Sequence, residues 1–122
     1  MKFTKEHEWI EIKGNIATIG ITDYAQKQLG DIVSIDLPKI GTVVKSGKEI
    51  AMVDSMKASS PVYSPISGKI IEINSGLENT PQMINKSPLQ EGWIAKLEAM
   101  DVKELEHLMT EEQYKKLLEE SK

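Results

Sequence analysis

Ser46-Gly47-Lys48-Glu49-Ile50-Ala51-Met52-Val53-Asp54-Ser55-Met56-Lys57-Ala58-Ser59-Ser60-Pro61-Val62-Tyr63-Ser64-Pro65-Ile66-Ser67-Gly68-Lys69 opens and closes on one tripeptide. Ser46-Gly47-Lys48 returns 21 residues later as Ser67-Gly68-Lys69, each copy following a polar or proline-containing turn and leading into an apolar strand. Lys57 stands almost midway, ten residues after Gly47 and eleven before Gly68. Two similar strand units joined by a tight turn predict a pseudo-twofold β arrangement, with Asp54-Ser55-Met56-Lys57 at the junction. Gly47 and Gly68 are the turn-shaping candidates, because glycine adopts backbone angles that other residues resist.

Outward from this stretch, residues 3 to 97 carry short β-branched runs broken by glycine or proline, the pattern of a mainly β domain. Ile16 to Ile21, Ile32 to Leu37, Glu49 to Val53 and Lys69 to Ile73 are the clearest. Between the first two, Thr22 or Asp23 can cap a short helix and Gly30 can end it. A second helical turn is predicted to begin at Thr80-Pro81, since proline suits a first helical position. Beyond Met100 helix formers take over. Asp101 with Glu104 and Thr110 with Gln113 have capping-box spacing, so two short helices are expected over about 101–120. Val102, Leu105, Leu108 and Met109, then Tyr114, Leu117 and Leu118, would give each helix an apolar face packed on the β core.

The chain has 122 residues, 39% of them hydrophobic and 28% charged, which suits one domain spanning 1–122. Fifteen lysines plus arginines against 19 acidic residues give a net charge of −4, which disfavours a nucleic-acid partner. There are no cysteines and two histidines, so thiol catalysis, disulfides and a thiolate or histidine-rich metal site are excluded, and no metal is expected. Met1 to Glu6 lacks the apolar stretch of a signal peptide, and no apolar run approaches the ~20 residues that span a bilayer. The expectation is a bacterial cytoplasmic protein without membrane contact, in which the Asn85-Lys86-Ser87 glycosylation triplet is idle.

Met52 to Ala58 passes from an apolar strand into a polar turn, which puts the Lys57 amine in water at a hairpin tip. A modifying enzyme can reach such a lysine. A prosthetic acid joined there by an amide becomes a long flexible arm, and the protein supplies the mount. Lysine also decorates turns without purpose, and position alone leaves both readings open.

Gly41 and Gly47 before the lysine, then Tyr63 to Gly68 and Asn74 after it, resemble the pattern of biotinyl and lipoyl carriers. Lys5-Glu6-His7-Glu8-Trp9, Ala17 to Gln26, Leu29-Gly30-Asp31-Ile32-Val33 and Asn85 to Trp93, in that order, resemble the H proteins of the glycine cleavage system from about Phe3 to Tyr114. The resemblance implies a barrel-sandwich hybrid with short helices and a C-terminal helical segment. It also implies covalent lipoate on Lys57, and a carrier that is not itself an enzyme. The carrier would take an aminomethyl group from a pyridoxal-phosphate glycine decarboxylase (P protein) to a tetrahydrofolate-dependent aminomethyltransferase (T protein). Dihydrolipoamide dehydrogenase (L protein) would reoxidise the arm, and a lipoyl ligase or transferase would attach it. A monomer is expected. The alternative is a lipoylated relay or regulatory carrier of the same fold that serves lipoate distribution.

Four positions depart from the family pattern: Asp54 for glutamate, Met56 for valine, Pro61 for an aspartate and Leu89 for a tyrosine. Pro61 bears on how a loaded arm is held, whereas Leu89 reads as a packing change. Glu8 is the candidate carboxylate for the cationic cargo, and Ser60 a neutral contact beside it. Against this, strand alternation puts Glu6 and Glu8 on one face and His7 and Trp9 on the other, which predicts that Trp9 packs and the carboxylates are solvated. Trp93 reads as core or rim packing, and Glu111, Glu112, Glu119 and Glu120 as a solvated helix face. Biotin is the weaker cofactor, because Ala58 stands where biotin carriers have a second methionine. Gly41 to Lys48 fails as a phosphate loop, with five residues between its glycines and Glu49 in place of a hydroxyl residue.

Overall fold

The β-branched runs become nine antiparallel strands in a computed structural model that describes residues 1–120. The strands are β1 (Lys2–Phe3), β2 (Glu8–Lys13), β3 (Ile16–Ile21), β4 (Ile32–Asp36), β5 (Val43–Val44), β6 (Glu49–Ser55), β7 (Ser59–Tyr63), β8 (Gly68–Ile73) and β9 (Ala95–Ala99). Six of them form one sheet in the order β1-β2-β3-β9-β8-β5, and three form another in the order β4-β6-β7. Ile10, Ile19, Ile70 and Leu97 from the larger sheet meet Ile32, Ile35, Val53 and Val62 from the smaller one in a single buried cluster. The mainly β architecture read from the sequence is therefore the one adopted.

The two tripeptides lie side by side. Val44 pairs with Gly68, and the Ser46 N–H donates to Ser67 Oγ at 3.0 Å. Gly47 does occupy a turn, with φ at +85° in the left-handed region that L side chains resist. Gly68 does not: it is a buried residue inside β8, where an added Cβ would lie 2.6 Å from the Glu98 carbonyl oxygen. Its requirement is close approach of β9, so the turn-shaping reading is corrected there. Both glycines stand at the opposite end of the β6–β7 hairpin from Lys57.

Helix α1 (Asp23–Leu29) starts and stops as its sequence dictates. Thr22 Oγ1 accepts the Ala25 N–H at 3.3 Å, and the Gly30 N–H returns to the Gln26 carbonyl. Thr80-Pro81 forms a turn rather than the helix itself. Helix α3 (Met83–Lys86) begins just after it, and a further short helix, α2 (Gly76–Asn79), precedes it. Asn85 is a cross-link: its Nδ2 donates to Gln26 Oε1 and the Gly30 carbonyl, while its Oδ1 accepts the Ile32 N–H. These three bonds fix α1 against the start of β4.

The tail holds a 3-10 helix (Val102–His107) followed by α4 (Glu111–Glu120). At Thr110 and Gln113 the capping box is complete, with both reciprocal bonds present. At Asp101 only half of it forms. Glu104 turns instead to Ser67, accepting its N–H at 2.7 Å and its hydroxyl at 2.9 Å, because those donors would otherwise lie unpaired at the start of β8. Val102 is exposed, so the first apolar face expected for the tail is narrower than its sequence suggested. Leu105 and Leu108 pack on the main cluster, while Tyr114, Met109, Leu117 and Leu118 join Phe3 and Trp9 in a second one.

Crowding at Gly68 yields a direct test. Gly68→Ala should destabilise the fold by about 1–3 kcal/mol, the usual cost of overpacking, read as a lower urea midpoint. An unchanged midpoint would mean that β8 and β9 separate without cost.

Candidate functional site

The tip of the β6–β7 hairpin is closed by the Ser55 N–H donating to the Ala58 carbonyl at 2.8 Å. Ser55 Oγ also accepts the N–H groups of Lys57 and Ala58, so the turn is organised by one hydroxyl. The Met56 N–H reaches the Asp31 carbonyl at 3.1 Å and ties the tip to the segment before β4. Below the tip, Asp54 accepts a hydroxyl from Ser34 on β4 and another from Ser59 on β7. A single carboxylate thus joins all three strands. Met56 and Lys57 are exposed at this tip, Met56 at 78%.

From the tip the Lys57 side chain lies back over α1, its Nζ donating to the Gln28 carbonyl at 3.1 Å. Gln28 and Leu29 form one wall of a cleft of about 140 Å³. Tyr24 and Ala25 continue that wall, Ile21, Val53 and Val62 make the apolar floor, and Ser60, Pro61, His7 and Glu8 line the rest. The structure therefore brings Glu8, Ser60 and Pro61 into one cleft whose wall the Lys57 amine touches. Gly47 and Gly68 take no part in it.

Glu6 is exposed and Trp9 is buried, as expected, but Glu8 is 2% exposed, which overturns the expectation of a solvated carboxylate at that position. The alternation argument fails because β2 begins only at Glu8, and the preceding residues form a turn in which the His7 N–H bonds the Thr4 carbonyl. Thr4 Oγ1 donates to Glu8 Oε1 at 2.6 Å, and the Tyr63 N–H donates to Oε2 at 3.1 Å. Burial raises the Glu8 carboxyl above its ordinary value of 4.5, opposed by these two donors and reinforced slightly by Glu6. Among the described residues no cation pairs with it.

Sequence reasoning missed His7 and its partners. His7 has φ at +71°, the one non-glycine residue with positive φ among the described residues, in a turn position where glycine or asparagine sits more easily. Its ring lies 4.5 Å from that of Tyr24, and its Nδ1 is 2.8 Å from the Tyr114 hydroxyl on α4. Thr22 Oγ1 is 2.6 Å from the same hydroxyl. A turn without glycine was the only available signal. Trp93 packs beside the Phe3–Trp9–Tyr114 cluster with the Lys96 amine 5.1 Å from its ring centre, as rim packing predicts. Asn74 donates to the Glu91 and Trp93 carbonyls and so shapes the loop before β9. Among the described residues there is no cluster of metal-binding side chains, and no helix is long and apolar enough to cross a membrane.

A family model described as glycine cleavage H-protein matches residues 1–121. A glycine cleavage system H protein of Parvibaculum lavamentivorans is 49% identical over 119 residues, covering 98% of this chain and 95% of the relative. That of Thermotoga maritima is 50% identical over 113 residues, covering 93% and 91%. In three dimensions the chain superposes on a glycine cleavage system H protein from Mycobacterium marinum with a TM-score of 0.89 at 31% identity, covering 97% of this chain and 95% of the other. With agreement over this length in both sequence and backbone, the chain belongs to the glycine cleavage H-protein family.

Proposed function

We propose that this chain is the lipoyl carrier of a glycine cleavage system, a single 1–122 domain that performs no chemistry of its own. It bears lipoate on Lys57 and takes an aminomethyl group from the P protein to the T protein, with the L protein restoring the arm. The observation that carries this reading is the placement of Lys57: it is exposed on a hydrogen-bonded tip, and its amine reaches the wall of the cleft that holds Glu8. A monomer in a bacterial cytoplasm is the setting that goes with it. Family membership favours this role over lipoate distribution.

The residues present fit the prosthetic group. Attachment needs an accessible primary amine on a base that does not collapse, and the Ser55 and Asp54 bonds supply that base. When attached, lipoate would supply the sulfur that holds the cargo. The chain's own contribution is shelter: Ile21, Ala25, Leu29, Val53 and Val62 suit a hydrocarbon stem and exclude water. Glu8 supplies a carboxyl oxygen that an ammonium group can approach, and a cation there favours the ionised form against the burial that raises its pKa. Desolvation makes an unpaired carboxylate costly, and a cation beside it recovers part of that cost through a charge-assisted hydrogen bond. Ser60 adds a hydroxyl to the same wall. Pro61 supplies only apolar surface where an acidic side chain would give a second charge, so retention rests on Glu8.

Lys57 should be the sole lysine modified when the protein is made with a lipoyl ligase and lipoate, as intact-mass and peptide mass spectrometry would read. Modification at Lys48 or Lys69 instead would overturn the assignment. Lys57→Arg should change stability by less than about 0.5 kcal/mol, as exposed positions usually do, yet abolish loading because arginine cannot form the amide.

Glu8→Gln should speed loss of the aminomethyl group in buffer roughly tenfold to a hundredfold, the equivalent of about 1.5–3 kcal/mol for a hydrogen bond to a charged group. Pro61→Asp should slow it. Equal rates in wild type and both variants would remove these positions from the shelter. Stability adds an independent check. Since the folded Glu8 carboxyl titrates above the unfolded value of 4.5, its favourable contribution is complete below 4.5 and is lost as pH rises through the folded value. Wild type should therefore gain stability relative to Glu8→Gln as pH falls from neutrality toward 4.5, measured by urea unfolding at each pH.

A further inference from the structure

The Tyr114 hydroxyl is the one polar group of α4 that reaches the cleft's surroundings through two side chains at once. Its ring already has a packing role, stacked on Phe3 with centroids 4.7 Å apart and planes 7° from parallel. A phenylalanine would pack as well, so packing does not account for the hydroxyl. That oxygen lies 2.8 Å from His7 Nδ1 and 2.6 Å from Thr22 Oγ1. His7 is part of the cleft lining, and Thr22 caps α1, whose residues Tyr24, Ala25, Gln28 and Leu29 form the facing wall. The His7 ring also rests on Tyr24, at 4.5 Å.

We infer that Tyr114 is a positioning residue of the cleft: its hydroxyl fixes His7 on one side and the start of α1 on the other. This rests on the carrier reading only for what the cleft holds, not for how it is held. The backbone of His7 supplies the second observation. A left-handed φ of +71° in a histidine is strained, and such strain persists where surrounding contacts over-determine it. Here the His7 N–H bonds the Thr4 carbonyl and the His7 carbonyl accepts the Thr22 N–H, and the ring is held in addition by the Tyr114 hydroxyl, the Tyr24 ring and the edge of the Tyr114 ring at 5.6 Å.

A neutral imidazole allows one proton order in each tautomer. With its proton on Nε2, His7 accepts the Tyr114 hydroxyl proton at Nδ1, and Thr22, whose Oγ1 already accepts the Ala25 N–H, donates to Tyr114; with its proton on Nδ1, His7 donates to the Tyr114 oxygen, and Tyr114 donates to Thr22 Oγ1. Either order holds the ring in one tautomer. Burial favours both ends of this arrangement, lowering the His7 pKa against the opposing pull of Glu6 and raising that of the Tyr114 phenol.

The test uses the full-length chain. In unmodified protein at pH 8, nitrogen NMR of the His7 ring should show one tautomer in wild type. In Tyr114→Phe the two ring nitrogens should move toward the average of both tautomers. In lipoylated protein loaded by treating the reduced arm with formaldehyde and ammonia, a thiol, formaldehyde and ammonia give the aminomethyl thioether and water. The reverse reaction releases formaldehyde, which can be trapped and timed. Tyr114→Phe and His7→Asn should both release it several-fold faster than wild type, asparagine being chosen because it tolerates the left-handed backbone. The double variant should be no faster than either single one. Leu118→Ala, which loosens α4 with the hydroxyl intact, should lower the melting temperature and leave the His7 nitrogens unchanged.

Unchanged His7 nitrogens in Tyr114→Phe, or the same change in Leu118→Ala, would overturn the inference. So would release from Tyr114→Phe at the wild-type rate. Failure of wild type to accept lipoate would instead count against the carrier reading, and the ring-nitrogen measurement would still decide the role of Tyr114.

Discussion

The Asp54 carboxylate, shared between the Ser34 and Ser59 hydroxyls, is the bond set on which the site depends. β6 lies between β4 and β7 in a sheet of only three strands, so the hairpin tip projects from the smaller of the two layers. A two-stranded ribbon in water is marginal and twists freely. Pairing of β4 with β6 from Ile32–Ser55 to Asp36–Met52, the Asp54 bridge and the Met56 N–H bond to Asp31 together turn that ribbon into a fixed mount. Because β4 follows α1 directly, and Asn85 clamps the turn between them, the mount and the cleft wall share one rigid frame. The reach of the Lys57 amine to the Gln28 carbonyl is a consequence of that frame.

Much of this was legible in the sequence for physical reasons. β-Branched runs, glycine and proline breaks, and capping residues are local signals, and they located β3, β4, β6, β8, α1 and α4. The hairpin with Lys57 at its tip was legible from symmetry, since the flanking tripeptides set its centre. Less legible were features that depend on contacts distant in sequence. Glu104 satisfies Ser67 instead of its own helix, 37 residues away, and Gly68 is small because β9 crosses it. Asn85, which sequence reading set aside as an idle glycosylation triplet, is a half-buried cross-link whose partners lie 53 to 59 residues distant.

The cleft was half legible. Family resemblance singled out Glu8 and Ser60, whereas the residue pattern argued that the carboxylate would be solvated. Pattern reading failed there because alternation holds only within a strand, and the turn at His7 starts β2 two residues too late for Glu6 and His7 to obey it. Local rules are most often broken where a fold keeps strain or a buried charge for a purpose. His7, with its left-handed backbone, and Glu8, with a buried carboxyl that has no cation beside it among the described residues, are adjacent violations lining one cavity. Neither is a good choice for stability alone.

A carrier must hold its cargo against water and still give it up, and the cleft has the balance of forces this requires. Its floor is apolar but small, at about 140 Å³, and its charge is a single carboxylate already partly occupied by Thr4 and Tyr63. Two committed donors leave Glu8 able to attract an ammonium group without the full strength of an uncompensated buried charge. The Lys57 tether is one exposed hydrogen bond to a helix carbonyl, worth about 0.5–1.5 kcal/mol, so its loss shifts the equilibrium by little more than a factor of ten. A partner surface that offers the arm comparable contacts can therefore draw it out. Under the carrier role proposed above, a deeper cavity or a second buried charge would lengthen retention and slow hand-over by the same free energy, and Pro61 adds no such charge to the cleft.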